Sequence, residues 1–181
     1  MKIEPRRLRG TFEITLVPHA DERGHFMRWY DADAFAAAGL PTAWVQANES
    51  LSRRGVVRGL HFQRPPHAET KLVRAVAGTV YDVFVDLRRG SATFGQWDAV
   101  ELSEARRNAV LVPKGFAHGF CAVTESALVS YLVDAPYRPE AEGGLAWDDP
   151  ALGIPWPVQG AAIVSARDRR WPRLATLEPL G

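Results

Sequence analysis

Two side chains in the segment VRGLHFQRPPHAETKLV (57–73) are of the types that proton transfer at carbon requires. His61 carries an imidazole, whose ordinary pKa lies near neutrality, and Lys71 carries a compact ammonium that can sit against an oxyanion. Each lies in a short apolar run that reads as a strand, so a base and an enolate stabiliser can share one cavity. Taken alone, a histidine in a strand is more often a packing or surface residue than a catalyst. Lysine usage adds weight to position 71, because of 22 basic residues only Lys2, Lys71 and Lys114 are lysine. A planar guanidinium cannot replace a point charge in a tight pocket, which makes Lys71 a candidate functional group. Lys2 at the terminus and Lys114 in a turn read as incidental.

The elements that must position these groups are short. Residues 12–17, 44–47, 56–62, 71–77, 79–87, 95–102, 108–112, 118–122 and 127–133 are each rich in branched or aromatic side chains, with Gly and Pro between them. Nine short strands without long helical crossovers predict an antiparallel sandwich or barrel. One early helix is expected over 31–38, with Asp31 as N-cap and Gly39 at its end. After Tyr137 the chain becomes rich in loops and proline. Residues 152–156 are expected to tuck against the barrel, ahead of a short helix around 165–171.

Composition narrows the function. At 181 residues and 46% hydrophobic, the chain suits one domain spanning 1–181, with a loop and helix segment from about 140 to 181. A net charge of +1 and scattered Arg pairs give no surface for nucleic acid. Cys121 is the only cysteine, which excludes an internal disulfide and a thiolate metal cluster; its apolar neighbours predict a buried, inert thiol. MKIEPRRLRG has no apolar signal core, and no apolar run is long enough to span a membrane. The expectation is a soluble cytoplasmic protein with no membrane partner.

VPKGFAHGF (112–120) contains Pro-x-Gly-x-x-His, the second half-motif of cupin barrels, in which a turn delivers a histidine into the barrel mouth. Metal-binding cupins also carry His-x-His on an earlier strand. Here the matching stretch is His61-Phe62-Gln63, which leaves His61 and His118, with Glu69 of unsettled direction, short of a catalytic ligand set. No metal and no cofactor is expected.

DERG (21–24), RGLHFQ (58–63), KLVR (71–74), VDLRRGSATFGQW (85–97), PKGFAHGF (113–120), WDDPALGIPWP (147–157) and SARD (165–168) together resemble the dTDP-4-dehydrorhamnose 3,5-epimerases, in unbroken order over about residues 12–170. The resemblance implies an all-β, cupin-like antiparallel jelly roll with a few short peripheral helices. It also implies a homodimer that inverts C3 and C5 of a 4-keto-6-deoxy nucleotide sugar without a cofactor. The C4 ketone acidifies the hydrogens on C3 and C5, so inversion needs a base on one face, an acid on the other and donors around the enolate oxygen.

By the same resemblance His61 is the base, Asp168 its dyad partner, Lys71 the enolate stabiliser and Tyr131 the acid of the opposite face. His118 is a second pocket histidine. Arg58 and Arg23 match positions near the diphosphate, with Arg23 supplied by the neighbouring subunit through strand exchange. Gln46, Asn48, Tyr137 and Glu142 match positions lining the sugar and nucleotide channel, and Phe26 matches an aromatic that stacks on the base. Three departures fall at the nucleotide end: Arg28 replaces an acidic residue, Pro136 an aromatic and Glu49 a histidine. Inversion of a single centre, or use of another nucleotide, stays open beside the leading reading. A non-catalytic sugar-binding cupin and a metal-dependent oxygenase are the readings from other classes; joint retention of His61, Tyr131 and Asp168 argues against the first and Gln63 against the second.

Overall fold

The computed structural model describes residues 1–181. In chain order the strands are β1 (Lys2–Pro5), β2 (Phe12–Thr15), β3 (His19–Asp21), β4 (Gly24–Phe26), β5 (Gln46–Arg53), β6 (Val57–Gln63), β7 (Lys71–Ala77), β8 (Thr79–Asp86), β9 (Trp97–Ser103), β10 (Asn108–Val112), β11 (Phe116–Ala122), β12 (Ser126–Val133) and β13 (Glu142–Gly144). A single α-helix, α1 (Ala32–Ala37), lies between β4 and β5. The strands form a six-stranded sheet, β1-β2-β10-β7-β12-β5, a five-stranded sheet, β13-β6-β11-β8-β9, and a separate hairpin, β3-β4. All strand pairs are antiparallel, and the two large sheets close over one another as a cupin-like jelly roll.

Side chains alternate between the two faces of a strand, so each strand divides its residues between layers. Val73 and Ala75 of β7, Val80 and Phe84 of β8, Phe116 and Phe120 of β11 and Val129 of β12 fill the space between the sheets. Leu60, Phe62, Val83 and Val85 point outward and are covered by Leu145, Leu152, Ile154, Trp156 and Leu177 of the C-terminal segment. The stretch 152–156 therefore does tuck against the barrel, with Trp97 Nε1 donating to the Leu152 carbonyl at 2.7 Å. On the other side Phe35 of α1 packs over Ile14, Leu72 and Leu111.

The helix forms where expected, with Asp31 Oδ1 accepting from the Ala34 amide at 3.1 Å and Gly39 in the left-handed region at φ +69°. The expected helix at 165–171 is only a 3-10 turn, Asp168–Arg170. Pro172 is the reason: it pushes Trp171 into an extended conformation, φ −63° and ψ 145°, and the helix cannot continue. The strand expected over 44–47 instead begins at Gln46 and runs to Arg53. Cys121 is buried, and desolvation pushes its thiol up to about 11.

Candidate active site

The same alternation that builds the core sends a set of polar residues inward. On β6 the outward Leu60 and Phe62 leave His61 and Gln63 facing the barrel interior, and on β7 Lys71 shares a face with Val73 and Ala75. Tyr131 packs against the inner core beside Val129, and His118 lies between the inward Phe116 and Phe120. These groups line two adjoining clefts. The larger, about 470 Å³, is walled by Ser50, Arg58, His61, Lys71, His118, Tyr131, Arg167 and Asp168 among others. The smaller, about 230 Å³, shares His61, Lys71, Tyr131 and Arg167 and adds Gln46, Asn48, Glu69, Tyr137 and Glu142.

His61 Nε2 lies 2.7 Å from Asp168 Oδ1. Ser165 Oγ accepts from the Asp168 amide at 3.0 Å and so sets the turn that aims the carboxylate. Asp168 is 4% exposed, and burial alone would raise its pKa; the bonds from His61, the Gly59 amide and Trp171 outweigh burial and hold it below the usual carboxylate value. Trp171 also meets the His61 ring edge-on at 6.2 Å, and its indole lies against Gly144, where a Cβ would come within 2.3 Å of it. The imidazole is thus fixed by a carboxylate on one nitrogen and by packing on its side, with the remainder of the ring open to the cleft.

His61 and His118 are direct cross-strand partners on β6 and β11. The strands approach closely because both backbones are bare there: a Cβ on Gly119 would lie 2.4 Å from the Arg58 carbonyl, and one on Gly59 2.7 Å from the Gly119 Cα. His118 Nε2 contacts both oxygens of Asp82, at 3.0 and 2.9 Å. Asp82 is fully buried, and desolvation raises its pKa against the pull of His118 and Lys71. Asp82 has no place in the motif reading. Its signal was an acidic residue in the apolar run TVYDVFVD at a position sharing the inward face of Val80 and Phe84. Arg167 lines both clefts and pairs with Glu142 at 2.9 Å, and no motif singles it out beside Asp168.

Tyr131 stands on the opposite sheet, paired with Asn48 of β5 on one side and Val73 of β7 on the other. Burial raises its phenol pKa, Glu69 raises it further, and Arg58 opposes both. Lys71 Nζ lies 5.7 Å from the Tyr131 ring centroid and pairs with Glu69. Arg58 is held by Ser52 Oγ at 2.9 Å and the Leu51 carbonyl at 3.1 Å. Gln46 Oε1 accepts from the Tyr137 amide at 2.6 Å. Gln63, at the position where metal-binding cupins carry their second histidine, spends its amide on the His67 and Pro136 carbonyls, on Glu69 and on the Arg138 amide.

Arg23, Phe26 and Arg28 do not reach either cleft within the chain. Arg23 is exposed on the β3-β4 hairpin and bonds Asp21, Phe26 is 66% exposed, and Arg28 pairs with Asp31 at 3.0 Å. Phe26 and Arg28 instead line a separate depression with Met1, Val17 and His19.

An imidazole braced by a buried carboxylate on one sheet, a phenol on the other and an ammonium in the same cleft are groups of the kinds that proton transfer at carbon uses. The profile of the dTDP-4-dehydrorhamnose 3,5-epimerase family matches residues 5–176. The chain belongs to that family and is an isomerase of its type. It is 45% identical to the dTDP-4-dehydrorhamnose 3,5-epimerase of Methanothermobacter thermautotrophicus, covering 91% of this chain and 89% of that one. A dTDP-4-dehydrorhamnose 3-epimerase of Streptomyces niveus is also 45% identical, over 93% and 82% of the two chains. The crystal structure of the dTDP-6-deoxy-D-glucose-3,5-epimerase of Legionella pneumophila, in complex with dTDP-4-keto-L-rhamnose, superposes with a TM-score of 0.93 at 36% identity and covers 98% of this chain and 94% of that one.

Proposed function

We propose that this protein inverts C3 and C5 of a dTDP-4-keto-6-deoxyhexose through enolate intermediates. The observation that carries the reading is that His61, braced by Asp168, and Tyr131 stand on opposing sheets that wall the same cleft. A sugar ring between those walls presents one face to a base and the other to an acid. His61 takes the proton from the carbon beside the ketone, and the C–H bonding pair moves to form the enolate. Asp168 stabilises the imidazolium and fixes the ring orientation, as the carboxylate of a hydrolase triad does. Lys71 stabilises the charge on the C4 oxygen. The enolate then collapses to the ketone as the carbon takes the Tyr131 proton on its other face. Solvent restores both side chains before the second centre reacts.

His118, held by Asp82, faces the same cleft as a donor to the sugar. Arg58 and Arg167 supply cations for the diphosphate, and Gln46, Asn48, Tyr137 and Glu142 line the channel that leads from the reacting carbons. The exposed hairpin with Arg23, Phe26 and Arg28 completes the nucleotide site from a second subunit, which makes the homodimer the working unit. The 3-epimerase of S. niveus supports a second reading, inversion at C3 alone.

Incubation with dTDP-4-keto-6-deoxyglucose in D₂O, followed by NMR, distinguishes these readings. Deuterium at both C3 and C5 with the L-configured product is expected. Label and inversion confined to C3 would establish the single-centre reaction, and unaltered substrate would remove the dTDP-ketosugar assignment.

A further inference from the structure

The wall of the smaller cleft carries a charge for which the inversion chemistry has no evident use. Glu69 precedes β7, and its side chain is 9% exposed. One carboxylate oxygen meets Lys71 Nζ and the other accepts from Gln63 Nε2 at 3.2 Å. Gln63 is itself clamped, accepting from the Arg138 amide at 2.6 Å and donating to the His67 carbonyl at 3.0 Å and the Pro136 carbonyl at 3.2 Å. A carboxylate fixed this firmly against Lys71 weakens what that ammonium can offer an enolate oxygen. Some other benefit must offset the loss.

The benefit lies at Tyr131, whose surroundings are rich in cations. Lys71 stands beside its ring, and Arg58 of β6 lines the same cleft and pulls its phenol toward ionisation. Asp168 and Asp82 are committed to the imidazoles of His61 and His118. Glu142 and Arg167 pair with each other at the rim, and β5 presents the uncharged Asn48 and Ser50. Glu69 is thus the carboxylate positioned to balance Lys71 beside the phenol. Burial holds the phenol protonated, neighbouring cations work against it, and Glu69 adds to the effect of burial.

We infer that Glu69 is a positioning residue, which fixes the Lys71 ammonium against the cleft wall and offsets its charge, so that Tyr131 keeps its proton to higher pH than burial alone would hold it. The inference rests on the epimerase reading for its purpose, whereas the charge coupling can be measured without substrate. In Glu69→Gln the length is kept and the charge removed. The Tyr131 phenol midpoint, read by ultraviolet absorbance as the difference between E69Q and E69Q/Y131F, should fall by about one pH unit relative to the same difference in wild type. The alkaline limb of kcat should move down with it, while Glu69→Asp, which retains the charge, restores both toward wild type. A folded E69Q whose phenol midpoint does not fall overturns the inference even if the wild-type enzyme turns over the ketosugar. If the wild type fails on the ketosugar while the midpoint shifts, the epimerase reading fails and the coupling stands. Should E69Q not fold, Lys71→Met provides the opposite displacement: loss of the cation with Glu69 intact should raise the midpoint, and an unmoved or lowered one overturns the inference.

Discussion

Tyr131 and His61 stand on different sheets, and that separation makes their contributions separable by experiment. With the phenol removed in Tyr131→Phe, His61 can still abstract a proton and return a solvent-derived one to the same face. Solvent deuterium should then enter with retained configuration while inversion slows, whereas His61→Ala should abolish exchange and inversion together. Lys71→Ala should slow both, by about 3 kcal/mol if the ammonium behaves as a typical oxyanion donor. NMR of the recovered sugar reads each outcome. A Tyr131→Phe variant that inverts at the wild-type rate would return Tyr131 to the core and leave His118, already lining the cleft, as the next donor to test.

At the level of elements, the approach of β6 and β11 is what holds two histidines as cross-strand partners at the cleft. Gly119→Ala places a methyl 2.4 Å from the Arg58 carbonyl, and because the obstacle is backbone no side-chain rotation relieves it. The strands must part, and the variant should lose about 3 kcal/mol of stability, near the upper end for overpacking, with a matching loss of turnover. Chemical denaturation and a rate measurement check it; wild-type values in both would mean that the strands tolerate wider spacing.

The legibility of these elements in the sequence follows what each strand buries. Lys71–Ala77 and Asn108–Val112 read with their observed bounds because their apolar residues face packed layers. β5 has no clear sequence signature because Gln46, Asn48, Ser50 and Ser52 turn their polar side chains toward an open cleft or Arg58, so the strand lacks an apolar stripe. The hairpin β3-β4 is exposed along its whole length and leaves no apolar pattern for the same reason. His61, Lys71 and His118 were visible through residue chemistry and turn motifs. Asp168 and Tyr131 became candidates only by resemblance, since a contact across 107 positions, such as that of His61 with Asp168, leaves no local pattern.

For the whole molecule, the decisive feature is that the chain folds the proposed reaction centre internally while leaving Arg23 and Phe26 on an exposed hairpin away from both clefts. In the proposed homodimer each site joins His61 of one chain to Arg23 of the other, a condition that complementation can test. Arg23→Ala and His61→Ala proteins should each be impaired, for different reasons. When the two are unfolded together and refolded as an equal mixture, random pairing makes half of the dimers mixed. In a mixed dimer the chain that keeps His61 receives an intact Arg23 from its partner, while the other site has lost both groups. Total activity should therefore recover to about a quarter of the wild-type value under random two-fold assembly. If Arg23 served the site of its own chain, no pairing could reunite it with His61, and the mixture would show only the average of the two impaired proteins.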